Sequence, residues 1–198
     1  KNTIAILPVH IFGYPCFIRE LKEISDAWGL PLIEDAAESF GSYITSPLNS
    51  SIHTGLIGDV GIFSFNGNKI ITSGGGGALV SRDSSLMDQA KHLSTTAKVN
   101  SPYLIEHDSI GWNDRLPNIN ASLLIPQLKS LSVSLELKNK LHLNYKSMFL
   151  GSTSFLFHSP QSTSPVNHWL NSIRVTSITS QSELLVLLSF LHSRKIFV

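Results

Sequence analysis

Short apolar runs alternate with segments of helical periodicity along the first two-thirds of the chain. Residues 17, 21, 24 and 28 recur at the spacing of one helix face, and Gly29 follows where a helix would end. Such alternation is typical of βαβ units. We therefore predict an α/β fold, with a mostly parallel sheet and flanking helices. The apolar runs, which we predict to be strands, are residues 30–33, 60–65, 78–81 and 4–9, the last predicted to be a buried strand.

The pattern changes after about residue 120. We predict a helix over residues 120–149, interrupted by Pro126, and a loop rich in Ser, Thr and Pro over residues 151–165. We predict two domains: a partial large domain over residues 1–134 and a partial, divergent C-terminal domain over residues 135–198.

Composition excludes several classes of protein. The formal net charge is +1, without the clustered Lys and Arg of a nucleic-acid surface. No apolar run reaches the roughly 18–20 residues that span a bilayer. Cys16 is the single cysteine, which excludes a disulfide scaffold and a cysteine-based zinc site. The histidines also lack metal-ligand spacing. We expect no nucleic-acid, membrane or metal partner, and a reducing, cytoplasmic setting fits.

Three polar residues lie where predicted strands end. Asp35 follows one apolar run, Ser64 closes another, and Lys69 lies in the loop after it. Ligands of open α/β sheets bind beyond the carboxyl ends of the strands. A carboxylate, a hydroxyl and an amine could hold pyridoxal phosphate (PLP), pairing with its ring nitrogen, its phosphate and its aldehyde. Backbone N–H groups of the glycine run at 74–77 could also bind the phosphate.

Spacing alone leaves simpler interpretations open. An Asp at a strand end is often a turn residue, a single Lys is usually a solvated charge, and the glycine run could be a flexible hairpin. A nucleotide-binding P-loop does not fit, because five residues separate Gly61 from Gly67 and Asn68 intervenes before Lys69.

Longer motifs narrow the interpretation. Across roughly residues 1–130 the chain resembles the DegT/DnrJ/StrS family of fold-type-I PLP enzymes, which aminate keto sugars attached to nucleotides. The resemblance is greatest to the branch that makes 4-amino-4,6-dideoxy sugars. The motifs are PVH at 8–10 with Gly13, IEDAAES at 33–39, GDVGIFSFNGNK at 58–69, the glycine run, and GWNDRLPNINA at 111–121.

The resemblance implies a role for each of five residues. Lys69 matches the lysine that bonds to the cofactor and moves protons, and Asp35 matches the partner of the ring nitrogen. Glu38 matches a position near the ring's phenolic oxygen, and Ser64 matches a phosphate ligand. Asn113 matches an asparagine that reaches the cofactor phosphate of a neighbouring subunit, which implies a homodimer.

The implied reaction is transamination of a nucleotide-linked 4-keto-6-deoxy sugar, with glutamate as amino donor, for amino-sugar and surface polysaccharide biosynthesis. A related dehydratase branch carries His at the lysine position, so Lys69 favours transamination.

Family members are longer than this chain, so the resemblance also implies an incomplete large domain, truncated at both ends. The alternative is a truncated, non-catalytic remnant that is inert or only associates with a full-length subunit. We interpret His10 and Trp169 as packing residues and His107-Asp108 as a polar loop. Arg115 fits either a substrate-phosphate contact or a salt bridge.

Overall fold

The computed structural model describes residues 2–45, 50–160 and 164–198. Its contacts divide the chain into two compact units. The first unit comprises Lys1–Lys140 with Gln161–Leu170, and the second comprises Leu141–Pro160 with Asn171–Val198. These units are groups of contacting residues and do not test whether two domains fold independently. The predicted domain boundary at residue 135 therefore stays a prediction.

Among the described residues, the first unit contains a three-stranded sheet and a separate antiparallel pair of strands. Its strands are β1 (Ile33–Asp35), β2 (Tyr43–Thr45), β3 (Ser51–His53), β4 (Val60–Ser64) and β5 (Gly77–Ser81). Its helices are α1 (Ile18–Trp28), α2 (Ser84–Ser94), α3 (Asn118–Ser122), α4 (Leu124–Lys129) and the start of α5 (Leu131–Met148), and a short 3-10 turn covers Ile11–Gly13. β2 pairs with β3, whereas β1 pairs with β4 in parallel and β4 pairs with β5 antiparallel, so the order of the three-stranded sheet is β1-β4-β5. The sheet is therefore mixed, with helices beside it.

The segment at residues 4–9 runs parallel to β1 without forming a continuous strand. Ile33 N–H donates to the Ile6 carbonyl (2.9 Å), Asp35 N–H donates to the Pro8 carbonyl (2.9 Å), and His10 N–H donates to the Asp35 carbonyl (3.1 Å). Pro8 lacks an N–H, so the ladder is interrupted at its centre and only isolated bridges remain.

The prediction that residues 4–9 are a buried strand is wrong in both respects. Ile4 is 85% exposed and Leu7 is 56% exposed. An apolar run satisfies the pattern of a buried strand, but this one lies at an edge of the sheet.

Helix α1 forms as predicted, but it buries a different face. Ile18 and Ser25 are buried, whereas Phe17 and Trp28 of the predicted face are 80% and 59% exposed. Ser25 can face inward because its hydroxyl donates to the carbonyl of Leu30 (2.6 Å). Ser25, a polar residue with a hydrogen-bond partner, thus lies on the buried face of α1, where hydrophobic periodicity alone would place an apolar residue.

The helix ends follow capping chemistry. Gly29 ends α1 with a left-handed φ of 59°, as predicted. Helix α2 begins with a side-chain cap. Asp83 is the N-cap, and its carboxylate accepts the N–H groups of Ser85 and Leu86.

The predicted long helix over residues 120–149 is three helices, α3, α4 and α5. The breaks fall at Leu123 and Ser130 instead of Pro126. Pro126 is the third residue of α4, where a backbone N–H has no partner within the helix, so its ring is tolerated.

The larger buried cluster supports the edge at which β1 and β4 end. Ala36 directly follows β1 and Phe65 directly follows β4; they pack with Phe63, Ile71 and Leu124. A second cluster of Ile18, Leu32 and Ile44 lies against α1.

The second unit contains an antiparallel pair, β6 (Phe155–Phe157) and β7 (Ile173–Val175), and helix α6 (Gln181–Ser193). Strand β6 lies inside the segment predicted to be a loop. Helix α6 begins with a capping box between Ser180 and Glu183. Among the described residues, no helix has the length and apolarity needed to cross a membrane.

Candidate functional site

Asp35 and Ser64 lie at the same edge of the sheet. Asp35 ends β1 and pairs with Ile62 of β4, and β4 continues to Ser64, which pairs with Gly77 of β5. Since β1 and β4 are parallel, their carboxyl ends meet at this edge. The structure thus brings together two of the predicted residues and the end of the glycine run.

The backbone of Asp35 makes two hydrogen bonds to the neighbouring segment. Its N–H donates to the Pro8 carbonyl, and its carbonyl accepts the N–H of His10. The Asp35 side chain is half-buried, and Oδ1 accepts the N–H of Ala37 (3.0 Å). This contact is the turn that the simpler interpretation of a strand-end Asp expects. Because it involves one carboxylate oxygen, a turn role and a ligand role are compatible.

Lys69 lies in the loop after β4 and is not a fully solvated charge. Its N–H donates to the Asn66 carbonyl (3.1 Å), and its side chain is half-buried. The Lys69 Nζ lies 3.9 Å from the centroid of the Trp169 ring. An ammonium over an indole face is a cation–π contact, so the structure gives this amine a defined position.

The glycine run joins β4 to β5, and the residues before it are anchored at two points. Gln127 pairs with the backbone of Thr72 in both directions, accepting its N–H (2.9 Å) and donating to its carbonyl (2.7 Å). The Asn120 amide donates to the Ser73 carbonyl (2.7 Å). The Ser64 hydroxyl accepts the Asn66 N–H at 3.4 Å. The run is therefore a hairpin whose base is fixed by α3 and α4.

Glu38 has a partner within the chain. Its Oε2 accepts the N–H of Phe12 (2.6 Å), and Phe12 has a φ of 56°, which is rare for an aromatic residue. The carboxylate thus stabilises an unfavourable backbone conformation. Its expected place near the cofactor's phenolic oxygen stays a prediction.

Asn113 lies in another part of the first unit. It forms an isolated antiparallel bridge with Thr95, just beyond α2, and is exposed. The next two residues, Asp114 and Arg115, line an open cleft of about 570 Å³ together with Gly74–Gly77. The expected role of Asn113 in a neighbouring subunit stays a prediction.

A buried hydrogen-bonded pair, Glu34 with His10, precedes Asp35, and no sequence pattern predicts it. Glu34 Oε2 lies 2.9 Å from His10 Nε2, and both side chains are fully buried. His10 Nδ1 accepts the N–H of Cys16 (3.2 Å), which assigns the donor proton of a neutral ring to Nε2. His10 is therefore a packing residue, as interpreted, with a specific polar partner. The residues are 24 apart, and no local pattern links them.

Backbone donors complete the environment of Glu34. Its carboxylate also accepts the N–H groups of Gly55 (2.8 Å), Ile57 (2.6 Å) and Gly58. Burial alone raises the pKa of Glu34, but the hydrogen bonds from His10 and these amides outweigh burial and lower that pKa.

The adjacent His107 and Asp108 do not form a dyad with each other. His92 Nε2 lies 2.7 Å from Asp108 Oδ1, while His107 Nδ1 bonds to the Thr96 carbonyl (2.7 Å). The hydrogen bond from His92 lowers the pKa of Asp108. The polar-loop interpretation holds, with His92 as the unrecognised partner. No group of three or more potential metal ligands occurs within the part of the chain that the structure describes.

The residues at the sheet edge fit PLP in their chemistry. A half-buried carboxylate suits a protonated ring nitrogen, a strand-end hydroxyl beside a glycine hairpin suits a phosphate, and a restrained amine suits an aldehyde. Asp35, Ser64 and Lys69 supply these groups from β1, from β4 and from the loop that follows β4.

Comparisons with known proteins agree with this fit. The sequence model of the DegT/DnrJ/EryC1/StrS aminotransferase family matches residues 1–197. EpsN of Bacillus subtilis strain 168, a proposed pyridoxal phosphate-dependent aminotransferase, is 37% identical over 170 residues, which are 85% of this chain and 42% of EpsN. GDP-perosamine synthase of Vibrio cholerae is 34% identical over 173 residues, which are 87% of this chain and 45% of that protein.

A solved structure extends the likeness to the fold. PseC of Helicobacter pylori, an aminotransferase involved in the biosynthesis of pseudaminic acid, superposes with a TM-score of 0.83 at 25% identity, covering 98% of this chain and 51% of PseC. The fold is therefore that of a PLP-dependent aminotransferase, as predicted, and it covers about half of the solved chain. The chain belongs to the DegT/DnrJ/EryC1/StrS aminotransferase family, whose enzymes depend on PLP. It spans about half the length of the relatives that it matches.

Proposed function

We propose that this chain supplies the PLP-binding portion of a sugar aminotransferase that acts on a nucleotide-linked 4-keto-6-deoxy sugar, with glutamate as amino donor. The observation that carries this proposal is the common edge of β1 and β4. There a half-buried carboxylate, a hydroxyl and the loop of a restrained lysine follow one another within the family's motifs.

Each side chain has a distinct task in this proposal. Bound PLP supplies an electron sink for the electrons released at the amino carbon. Asp35 would hold the proton on the ring nitrogen, and Ser64 would donate its hydroxyl hydrogen to the phosphate. Lys69 would hold the cofactor at its aldehyde carbon, whose oxygen would leave as water. When its amine is displaced by the incoming amino group, Nζ would move a proton between the reacting carbons. Glu38 stabilises the turn at Phe12 and thereby the loop after Asp35.

The choice of substrate rests on the relatives. Two GDP-perosamine synthases, from Vibrio cholerae and Escherichia coli O157:H7, match at 34% and 36% identity. Their name supports a nucleotide sugar as acceptor. We extend the proposal to amino-sugar and surface polysaccharide biosynthesis in the cytoplasm, where a chain with one cysteine and no disulfide fits.

A homodimer is part of the same proposal. Asn113 is exposed on the first unit, where it is available to a second copy. In the family's arrangement this asparagine reaches the cofactor phosphate of the neighbour.

Absorbance spectroscopy tests cofactor binding. The purified chain, mixed with PLP, should develop a band near the visible edge that borohydride abolishes. Lys69→Ala should lack this band, whereas Lys91→Ala, which removes an exposed lysine of α2, should retain it. Asp35→Asn should weaken retention of the cofactor during gel filtration.

The contrary hypothesis is a non-catalytic chain that is inert or only associates with a full-length subunit. It predicts the same spectrum for Lys69→Ala, Lys91→Ala and the unchanged chain. If the band depends on Lys69, product analysis with glutamate and a 4-keto sugar nucleotide then distinguishes amination from dehydration of the sugar.

A further inference from the structure

We propose that Asn167 and Trp169 are positioning residues that fix Lys69 relative to the loop following Asp35. The inference rests on the proposed function, because it assigns a purpose to the placement of that lysine. The sequence patterns predict only a packing role for Trp169 and no role for Asn167.

Asn167 is bound to the loop after β1. It is fully buried, and its Nδ2 donates to the carbonyls of Glu38 (2.8 Å) and Phe40 (3.0 Å). Its own N–H donates to the hydroxyl of Ser42 (3.0 Å). Because Glu38 lies three residues after Asp35, these bonds place residue 167 against the loop that carries the candidate ring-nitrogen partner.

The same asparagine sets the position of Trp169. Its Oδ1 accepts the N–H of Trp169 (2.9 Å), a local turn that crosses His168 at a φ of 48°. Gly13 leaves room for this amide, since a Cβ on Gly13 would lie 1.8 Å from Asn167 Oδ1. Gly13 belongs to one of the motifs, so a motif glycine has a defined partner.

Trp169 then reaches the loop after β4. It is 7% exposed, and its Nε1–H donates to the carbonyl of Asn68 (2.8 Å), while its ring lies 3.9 Å from Lys69 Nζ. One indole therefore contacts both the backbone before Lys69 and the end of its side chain. Two residues of one short segment join the two loops whose side chains must act on the same cofactor.

A lysine has a flexible four-carbon stem and no preferred direction of its own. A reacting group has to be held within about 0.5 Å of its productive position. The Asn68 bond restrains where the stem begins, and the ring restrains where it ends. Simple packing accounts for the burial of Trp169, but it does not require a donor aimed at Asn68 or a ring under the ammonium.

Chemical labelling of Lys69 in the cofactor-free, 198-residue chain tests this inference without any activity. Reductive methylation is followed by mass spectrometry, with the other lysines as internal references. In Trp169→Leu we expect Lys69 to label about two- to tenfold faster, because the ring contact is lost. In Trp169→Phe, which keeps a ring but loses the N–H donor, we expect a smaller increase. Trp28→Leu, at a tryptophan that is 59% exposed, should leave the rate unchanged.

A second readout uses PLP. At a fixed PLP concentration, the yield of the Lys69-dependent absorbance band should fall at least threefold in Trp169→Leu and should recover in part in Trp169→Phe. Asn167→Ser should behave like Trp169→Leu while keeping the indole. Circular dichroism establishes whether each variant is folded. If Trp169→Leu does not fold, Trp169→Phe serves as the test variant.

Unchanged Lys69 labelling in folded Trp169→Phe and Asn167→Ser would overturn the positioning role. The absence of a Lys69-dependent band in the unchanged chain would overturn the proposed function instead. The labelling experiment is independent of that outcome, so the two failures are distinguishable.

Discussion

The carboxylate of Glu34 and the imidazole of His10 lie 2.9 Å apart, and neither side chain is exposed. Three backbone N–H groups between Gly55 and Gly58 also point at that carboxylate. Glu34 lies in β1, one residue before Asp35. Its carboxylate therefore links β1 to the segment that ends at His10 and to the loop before β4. Its contribution to stability can be measured separately from any chemistry.

Removing the Glu34 carboxylate should be costly. In Glu34→Ala, the buried His10 Nε2–H and three backbone N–H groups lose their acceptor. Because an unsatisfied buried donor costs about 1–3 kcal/mol, we expect the free energy of unfolding to fall by more than about 2 kcal/mol. Urea denaturation measures this loss. Glu136→Ala removes an exposed partner of Lys140 and should cost less than about 1 kcal/mol. Equal losses in the two variants would show that the buried Glu34 carboxylate stabilises the fold no more than an exposed one.

Stability should fall in two stages on acidification. Burial lowers the pKa of His53 below its ordinary value of 6.5, so from pH 6.5 downward the unfolded chain takes up a proton that the folded chain does not. The pKa of Glu34 is likewise lowered, so a second loss begins as the pH falls below 4.5. Urea midpoints measured from pH 8 to pH 3 should show both stages. Glu34→Gln should make the second stage shallower and keep the first, which should grow slightly because the charge of Glu34 raises the pKa of His53. A flat profile between pH 6.5 and 4.5 would exclude the His53 effect.

Gly13 should tolerate no side chain. In Gly13→Ala the new Cβ would meet the Asn167 amide, and its φ of 90° is unfavourable for alanine, so we expect a loss of more than about 2 kcal/mol. Gly29→Ala is the matched control, since Gly29 also has a positive φ, 59°, but a Cβ there meets nothing within 4 Å. Thermal unfolding of both variants separates the cost of the contact with Asn167 from the cost of a positive φ at alanine. Similar costs would show that the Asn167 contact is unimportant.

Local chemistry explains which elements the sequence predicted correctly. Gly29 ends α1 because a left-handed residue closes a helix, and β1 and β4 follow from apolar runs between turn residues. Their polar ends made Asp35 and Ser64 recognisable at one sheet edge. The family motifs then predicted that Lys69 bonds to the cofactor, which its position alone did not indicate.

Long-range contacts explain the rest. Trp169 lies 101 residues from Asn68, and no spacing rule connects them. The inward face of α1 depends on a hydroxyl bond from Ser25 to a carbonyl five residues later, which hydrophobic periodicity does not record. The segment at 4–9 has an apolar composition but lies at the sheet edge, and that location depends on which strands pair.

Cys16 should react slowly with alkylating reagents. Burial and the negative charge of Glu34 raise the pKa of its thiol to about 11. At pH 8 its rate with iodoacetamide should be on the order of 100-fold below that of an unperturbed thiol, because little thiolate is present. The rate should keep rising up to about pH 11, and Glu34→Gln should shift the midpoint downward. A midpoint near that of the urea-unfolded chain would contradict the prediction.

Mapping the site of PLP attachment shows whether Lys69 is the lysine that bonds to the cofactor. The chain is incubated with PLP, reduced with borohydride, digested and analysed by mass spectrometry. We expect one dominant pyridoxyl modification, on Lys69, which is lost in Lys69→Ala without moving to another lysine. Modification spread over exposed lysines such as Lys91 and Lys98, with Lys69 unmodified, would contradict it.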